Sequence, residues 1–261
     1  MKTKNINTLQ SDQKSDTMND SAKSDLLEDL VALYLRLNGF FTNGFIVHNP
    51  AEGNRSEVDV LAVRFPLHRE PEREIGDDGL LNLSSDHIEF AFCEVKGGKP
   101  KIQCNDALRK SPDGISRLLR RLGMFSDVEV SELVQKVQDA ITPKEVQTPA
   151  IITVDAPKQT RIRFYFFAPD LTTPSRNQAF FIGGNSVLSF IVSCLVPIEK
   201  RCECAVNYGS GQWGRHFAPL VHFFKSYPPG TIPSIEQLYN DASLQAAYTE
   251  RPKKGADIRL S

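Results

Sequence analysis

His87-Ile88-Glu89-Phe90-Ala91-Phe92-Cys93-Glu94-Val95-Lys96, closed by Gly97-Gly98, is the stretch from which the fold is read. Aromatic and β-branched residues with a Gly pair behind them predict a buried strand that stops at the glycines. Side chains alternate along a strand, so Ile88, Phe90, Phe92, Glu94 and Lys96 share one face. Three apolar residues are thus followed, on the same face, by a carboxylate and an ammonium. Burying charge beside a core costs on the order of several kcal/mol unless it is paired or binds a metal. The strand end is therefore either an ion pair or an active site.

A second charged strand bears on that choice. Ser56 to Arg64 alternates again, with Glu57, Asp59, Leu61 and Val63 on one face and Val58, Val60 and Ala62 on the other. Antiparallel pairing of the two strands is expected to set Asp59 beside Glu94. Two such carboxylates repel unless a divalent cation bridges them, and hard oxygen donors suit Mg²⁺ or Mn²⁺. Lys96 would then orient or polarise an attacking water, or steady developing phosphate charge. Asp59, followed 35 residues later by Glu94-Val95-Lys96, resembles the PD-(D/E)xK nuclease superfamily of restriction endonucleases and junction resolvases.

The resemblance implies a restriction-endonuclease-like α/β core, a central mixed sheet flanked by helices in the order α-β-β-β-α-β. It implies that Asp59 and Glu94, with the Val95 carbonyl, hold Mg²⁺, for which Mn²⁺ substitutes. It also implies that Lys96 assists the attacking water, and that the products carry a 5′-phosphate and a 3′-hydroxyl. Members often carry an acid on the first helix that completes the site; here that position falls to Glu28. Two departures stand out. Val58 precedes Asp59 where the motif has proline, and no Gln-x-x-x-Tyr follows the lysine, which points away from the RecB-type branch and towards Mrr-like and resolvase-like members.

Composition sets the outer bounds. The chain has 261 residues, 40% of them hydrophobic, and a net charge of −1, so any nucleic-acid face must come from local clustering. Five cysteines at irregular spacing, with no secretory leader expected, predict reduced thiols and a cytoplasmic protein. No apolar run reaches membrane-spanning length; Val187 to Val196 is too short. Residues 1–22 are polar and expected to be a disordered tail, 23–200 the nuclease-like domain, and 201–261 a helical extension with a frayed end.

Along the chain, Leu27, Leu30, Val31, Tyr34 and Leu37 have helical spacing, ended by Gly39. Asp25 and Glu28 fit a capping box, so Glu28 has a capping reading beside the metal one. Residues 65–87 are polar and acidic, and are expected to be an exposed insertion or a lid. Residues 94–121 then reverse the sign, with eight basic residues against three acidic. Pro112 opens an amphipathic helix there, and Lys99, Lys101, Arg117, Arg120 and Arg121 are the candidate phosphate contacts; a solvated helix face is the plainer alternative. Ser131 is expected to cap a further helix ending at Thr142-Pro143. Strands are expected at 150–154, at Arg161 to Ala168 as a fully covered central strand, and at 179–182, before an apolar helix from Gly183-Gly184-Asn185 to Leu195.

Other constellations are weaker. Cys194, Cys202, Cys204, His216 and His222 fit no zinc-knuckle spacing. Trp213, Phe217, Phe223 and Phe224 read as core rather than as a base-stacking platform. The sequence thus predicts a Mg²⁺-dependent endonuclease acting on nucleic acid, DNA ahead of RNA, in restriction, phage defence or a mobile element. A homodimer or a partner subunit would serve double-strand cutting. The alternatives are a non-catalytic nucleic-acid-binding or scaffold subunit on the same fold, or a structural ion pair in an unrelated domain.

Overall fold

The computed structural model describes residues 18–48, 55–69, 75–98, 103–142, 150–171, 181–199 and 205–251. Its centre is a mixed six-stranded sheet: β1 Phe41–His48, β2 Arg55–Arg64, β3 Ile88–Val95, β4 Ile151–Ala156, β5 Thr160–Ala168 and β6 Ile182–Gly183. The order is β1-β2-β3-β5-β4, with β6 continuing the same edge of β5. β1, β2 and β3 form an antiparallel meander. β5 then lies parallel to β3 after a crossover that carries three helices, α2 Asp106–Arg109, α3 Pro112–Arg121 and α4 Asp127–Ile141. A parallel pair requires such a long connection.

The two faces of the sheet are covered separately. α3 and α4 bury Ile115, Leu118, Leu119, Val130, Leu133 and Val137 against Phe90, Phe92, Ile162, Phe164 and Phe166. The opposite face, with Ala91, Cys93, Val95, Tyr165 and Phe167, is covered by α1 Asp20–Leu37 and α5 Gly184–Leu195. β5 is buried along nearly its whole length, as its aromatic run predicts. The C-terminal helices α6 Gly214–Ser226, α7 Ile235–Asn240 and α8 Ala242–Thr249 add Leu220, Phe224, Leu238 and Leu244 to the α1 cluster, so one core runs from α1 through to α8.

Several expectations are corrected. α1 starts at Asp20, capped by Asn19, whose side chain accepts the Ala22 N–H at 2.9 Å. Met18 and Ala22 are buried, which rewards ordering this extra turn and leaves Asp25 and Glu28 inside the helix, away from any capping box. The expected tail therefore loses residues 18–22 to α1 and the turn before it, and residues 1–17 lie outside the described residues. α4 is capped by Ser126 in a capping box with Glu129, while Ser131 lies within the helix and donates to the Asp127 carbonyl. Ser126 offers the box that Ser131 lacks.

The described part of the acidic connection after β2 is mostly exposed, as expected of an insertion, but it is anchored to the domain. Leu81 is fully buried, and the Tyr34 hydroxyl donates to Asp78 at 2.7 Å. Arg64 pairs with Asp77 at 2.8 Å, and Asn38 accepts the Asp78 N–H. Beneath it, Arg163 grips Glu89 with two hydrogen bonds, at 2.6 and 3.2 Å, and donates to the Leu81 and Asn82 carbonyls. Of the loop's acids, Asp77 is thus matched by Arg64 and Asp78 caps the short helix Gly79–Leu81, while Glu70, Glu72 and Glu74 lie outside the described residues. Two glycines are required where the chain turns. Gly39 has φ +85°, and a Cβ there would collide with the His68 ring; at Gly184 one would collide with the Pro169 carbonyl.

Candidate active site

The ladder between β2 and β3 runs from Arg64↔Glu89 to Val60↔Cys93 and ends there, one residue short of Asp59 and Glu94. The strand alternation breaks at this point. Asn43 pairs with Leu61 but Phe45 pairs with Val58, leaving Asp59 and Val60 opposite Gly44. That is a β-bulge with its extra residue on β2. Its effect is visible in the packing: Val58, Leu61 and Val63 lie on the α3–α4 face, whereas Val60 and Ala62 lie on the α1 face. Asp59 is therefore turned off the face of Leu61 and Val63, contrary to the simple period of two. Its carboxylate accepts the Val95 N–H at 2.7 Å, two residues past the last pair of the β2–β3 ladder.

Glu94 does lie where alternation predicts. It is 3% exposed, and its Oε2 accepts from Lys96 Nζ at 2.6 Å. Its Oε1 accepts the Asn105 N–H at 3.3 Å, and Asn105 Oδ1 is within 3.4 Å of Lys96 Nζ. Burial pushes the Glu94 carboxyl up to about 7; Lys96 opposes this shift and the Asp59 charge adds to it. Burial alone would depress the Lys96 ammonium, but the Glu94 pair outweighs it and holds its pKa above the ordinary value. Both partners shift upward because burial is unequal: the Lys96 side chain is 30% exposed and that of Glu94 4%. Desolvation falls mainly on the acid.

Asp59 opens onto a groove of about 770 Å³, and the same groove is lined by Glu28 and Asp25 of α1. Glu28 is half-buried and accepts from Ser24 Oγ at 3.3 Å. The structure thus brings Glu28 to the Asp59 groove and Lys96 to Glu94. Among the described residues no three His, Cys, Asp or Glu side chains converge on one point. Asp59 opens on the α1 side of the sheet and Glu94 follows Phe90 and Phe92 on the α3–α4 side, and each offers hard carboxylate oxygens. That suits Mg²⁺, which is commonly held by one or two protein carboxylates with water completing its shell.

The basic candidates are scattered. Lys99 and Lys101 lie outside the described residues. Arg117, Arg120 and Arg121 belong to α3, on the sheet face opposite α1, and Arg120 is spent on Asp127 at 2.9 Å. Cys93 and Cys104 are buried thiols with pKa values pushed up by burial, which makes them packing residues and not nucleophiles.

Sequence reasoning missed the far side of the groove, formed by the C-terminal helices. Trp213, Arg215, His216, Phe217 and Arg251 all line it. Asp29, buried on α1, holds this wall in place through His216 Nε2 at 2.9 Å, Arg251 at 2.5 Å and the Tyr248 hydroxyl at 2.8 Å. Asp170, just past β5, accepts the Gly98 N–H at 2.9 Å and the Tyr239 hydroxyl at 2.5 Å, tying the loop after Lys96 to α7. Asn105, Asp29 and Asp170 had no local signal, since each acts across at least nine residues of sequence.

Comparison with protein-family models, with characterised protein sequences and with solved structures finds no match to this chain. The chemistry therefore rests on the residues themselves.

Proposed function

We propose that this chain is a metal-dependent nuclease with a restriction-endonuclease-like core, hydrolysing phosphodiester bonds of nucleic acid, DNA in the first instance. One observation carries the reading: Asp59, which lines a groove with Glu28, accepts the N–H of Val95, the residue between the buried Glu94 and Lys96, which pair with each other on the face of Phe90 and Phe92. The element order supports the proposed core in part: a helix and three antiparallel strands are followed by helices and by β5 parallel to β3, but the edge strand β4, antiparallel to β5, stands between the helices and β5.

Asp59, Glu94 and the Val95 carbonyl would hold the ion, with Glu28 completing the site. Magnesium or manganese there would supply Lewis-acid stabilisation of charge on a scissile phosphate. Asp59 keeps its geometry through the Val95 N–H, so it is oriented before any ligand arrives. Glu94 is buried beside a second carboxylate, an arrangement that a cation relieves. Lys96, between Glu94 and Asn105, can hand its hydrogen bond from one to the other while staying charged, and so orient an attacking water or a phosphate oxygen.

A contrast within the same strand favours the active-site reading over a structural ion pair. Glu89–Arg163 is what a structural pair looks like here: fully buried, gripped twice, and joined to backbone carbonyls. Glu94–Lys96 is a single contact, with the lysine reaching solvent.

The test is cleavage of supercoiled plasmid and of labelled single-stranded DNA and RNA, in Mg²⁺, in Mn²⁺ and in EDTA. Wild type and Lys96→Ala run side by side. Metal-dependent cutting that falls by about a hundredfold or more in Lys96→Ala is expected. Absence of cutting together with no metal-induced rise in melting temperature would refute the proposal. A thermal rise without cutting would favour the non-catalytic subunit instead.

A further inference from the structure

The groove at Asp59 does not end at the acids. It is equally lined by Trp213 and Phe217, both half-buried, and by Arg215 and His216, both exposed, all at or just before the start of α6. Aromatic faces beside an exposed guanidinium such as that of Arg215 are the chemistry that holds unstacked bases and the phosphates between them. Phe223 and Phe224, which share the sequence run, are buried in the core, whereas Trp213 and Phe217 are left at its margin beside the groove. The wall is held firmly: Asp29 bonds His216, Arg251 and Tyr248 together, so its charge is already matched. The Trp213 indole N–H is buried with no acceptor among the described residues, so its ring is placed by packing rather than by a hydrogen bond.

From this juxtaposition we infer that the α6 wall is a track for single-stranded nucleic acid. An unpaired base stacks on Trp213 with Phe217 beside it, and Arg215 bonds the adjoining phosphate. The next phosphodiester is thereby led to Asp59 and Glu28. The inference rests on the nuclease reading of Asp59, Glu94 and Lys96, and goes beyond it by naming the strand state and the surface that selects it. A concavity of about 770 Å³ has the size of a site that encloses a ligand of a few residues. The bases of a duplex are stacked on one another and present no face to an aromatic side chain.

Trp213 is the chain's one tryptophan, so its emission reports the stacking directly. The full chain, in EDTA so that nothing is cut, is titrated with a thymidine decamer, a uridine decamer, a duplex of equal length and inorganic phosphate. Saturable quenching by the single strands is expected, with the duplex at least about tenfold weaker and phosphate silent. The two decamers distinguish DNA from RNA. By anisotropy of a labelled decamer, Trp213→Ala should bind roughly five- to 150-fold more weakly, Trp213→Phe should recover most of that loss, and Arg215→Glu, at an exposed position, should weaken binding without affecting folding. Unquenched emission while the decamer binds, equal affinity for the duplex, or undiminished binding by folded Trp213→Ala would each overturn the track. Plasmid cutting that persists with unquenched Trp213 discards the track and keeps the nuclease; quenching in a protein that cuts nothing does the reverse.

Discussion

Glu94 is where charge and burial conflict most. Its folded pKa of about 7 lies above the ordinary carboxylate value of 4.5, with burial as the main cause. Between those two pH values the folded state binds more protons than the unfolded state, so this group's contribution to stability falls as pH rises from about 4.5 to 7 and is level above. Glu94→Gln removes that dependence. The stability of wild type relative to Glu94→Gln should therefore decline by on the order of 3 kcal/mol across the window, measured by urea denaturation in EDTA at pH 4.5 to 8. A difference that stays constant with pH would show that the carboxyl is not penalised by burial. The Glu94 and Lys96 positions could be read directly from the sequence, because a period of two needs only local backbone. That Lys96 bonds Glu94 and Asn105 together could not, because Asn105 lies in the crossover beyond the strand.

At the scale of elements, pairing and packing decide what local propensity leaves open. The β2 bulge illustrates this: Val58-Asp59-Val60 alternates faultlessly as a sequence, yet pairing with β1 inserts a residue and turns Asp59. The acidic connection behaves similarly. It reads as a repelling loop, but Arg163 and Glu89 beneath it convert its carbonyls and Leu81 into part of the core. Arg163→Ala should cost about 3 kcal/mol, because it leaves Glu89, at 0% exposure, with only the Ser84 N–H and Arg161 at 3.8 Å. Glu89→Gln combined with Arg163→Met should recover a large part, and chemical denaturation of the three proteins measures it. Ser126→Ala should cost about 1 kcal/mol through loss of the α4 cap, whereas Ser131→Ala should be near neutral. Equal losses at the two serines would contradict the assigned helix start.

For the molecule as a whole, the C-terminal helices are part of the groove's construction. Asp29 is 5% exposed and joins α1 to residues more than 180 positions away. Asp29→Ala should loosen α6 and α8, seen as lost hydrogen-exchange protection over 214–249, at a cost of about 1–3 kcal/mol given the exposure of His216 and the partial exposure of Arg251. Protection unchanged from wild type would mean that apolar packing alone docks the extension. No described helix is long and apolar enough to cross a membrane.

What the sequence determined by itself was everything carried by local period and local chemistry. That covers the strands β3 and β5, the α1 and α5 stripes, the Pro112 helix start, and the candidacy of Asp59, Glu94, Lys96 and Glu28. What only the tertiary structure decided was how those pieces meet. The bulge at Asp59, the Glu89–Arg163 anchor, the Asp29 junction and the aromatic wall of the groove all join residues distant in sequence. The physical reason is that a side chain's direction along a strand or helix follows from its own backbone, whereas its partner depends on which elements exclude water together.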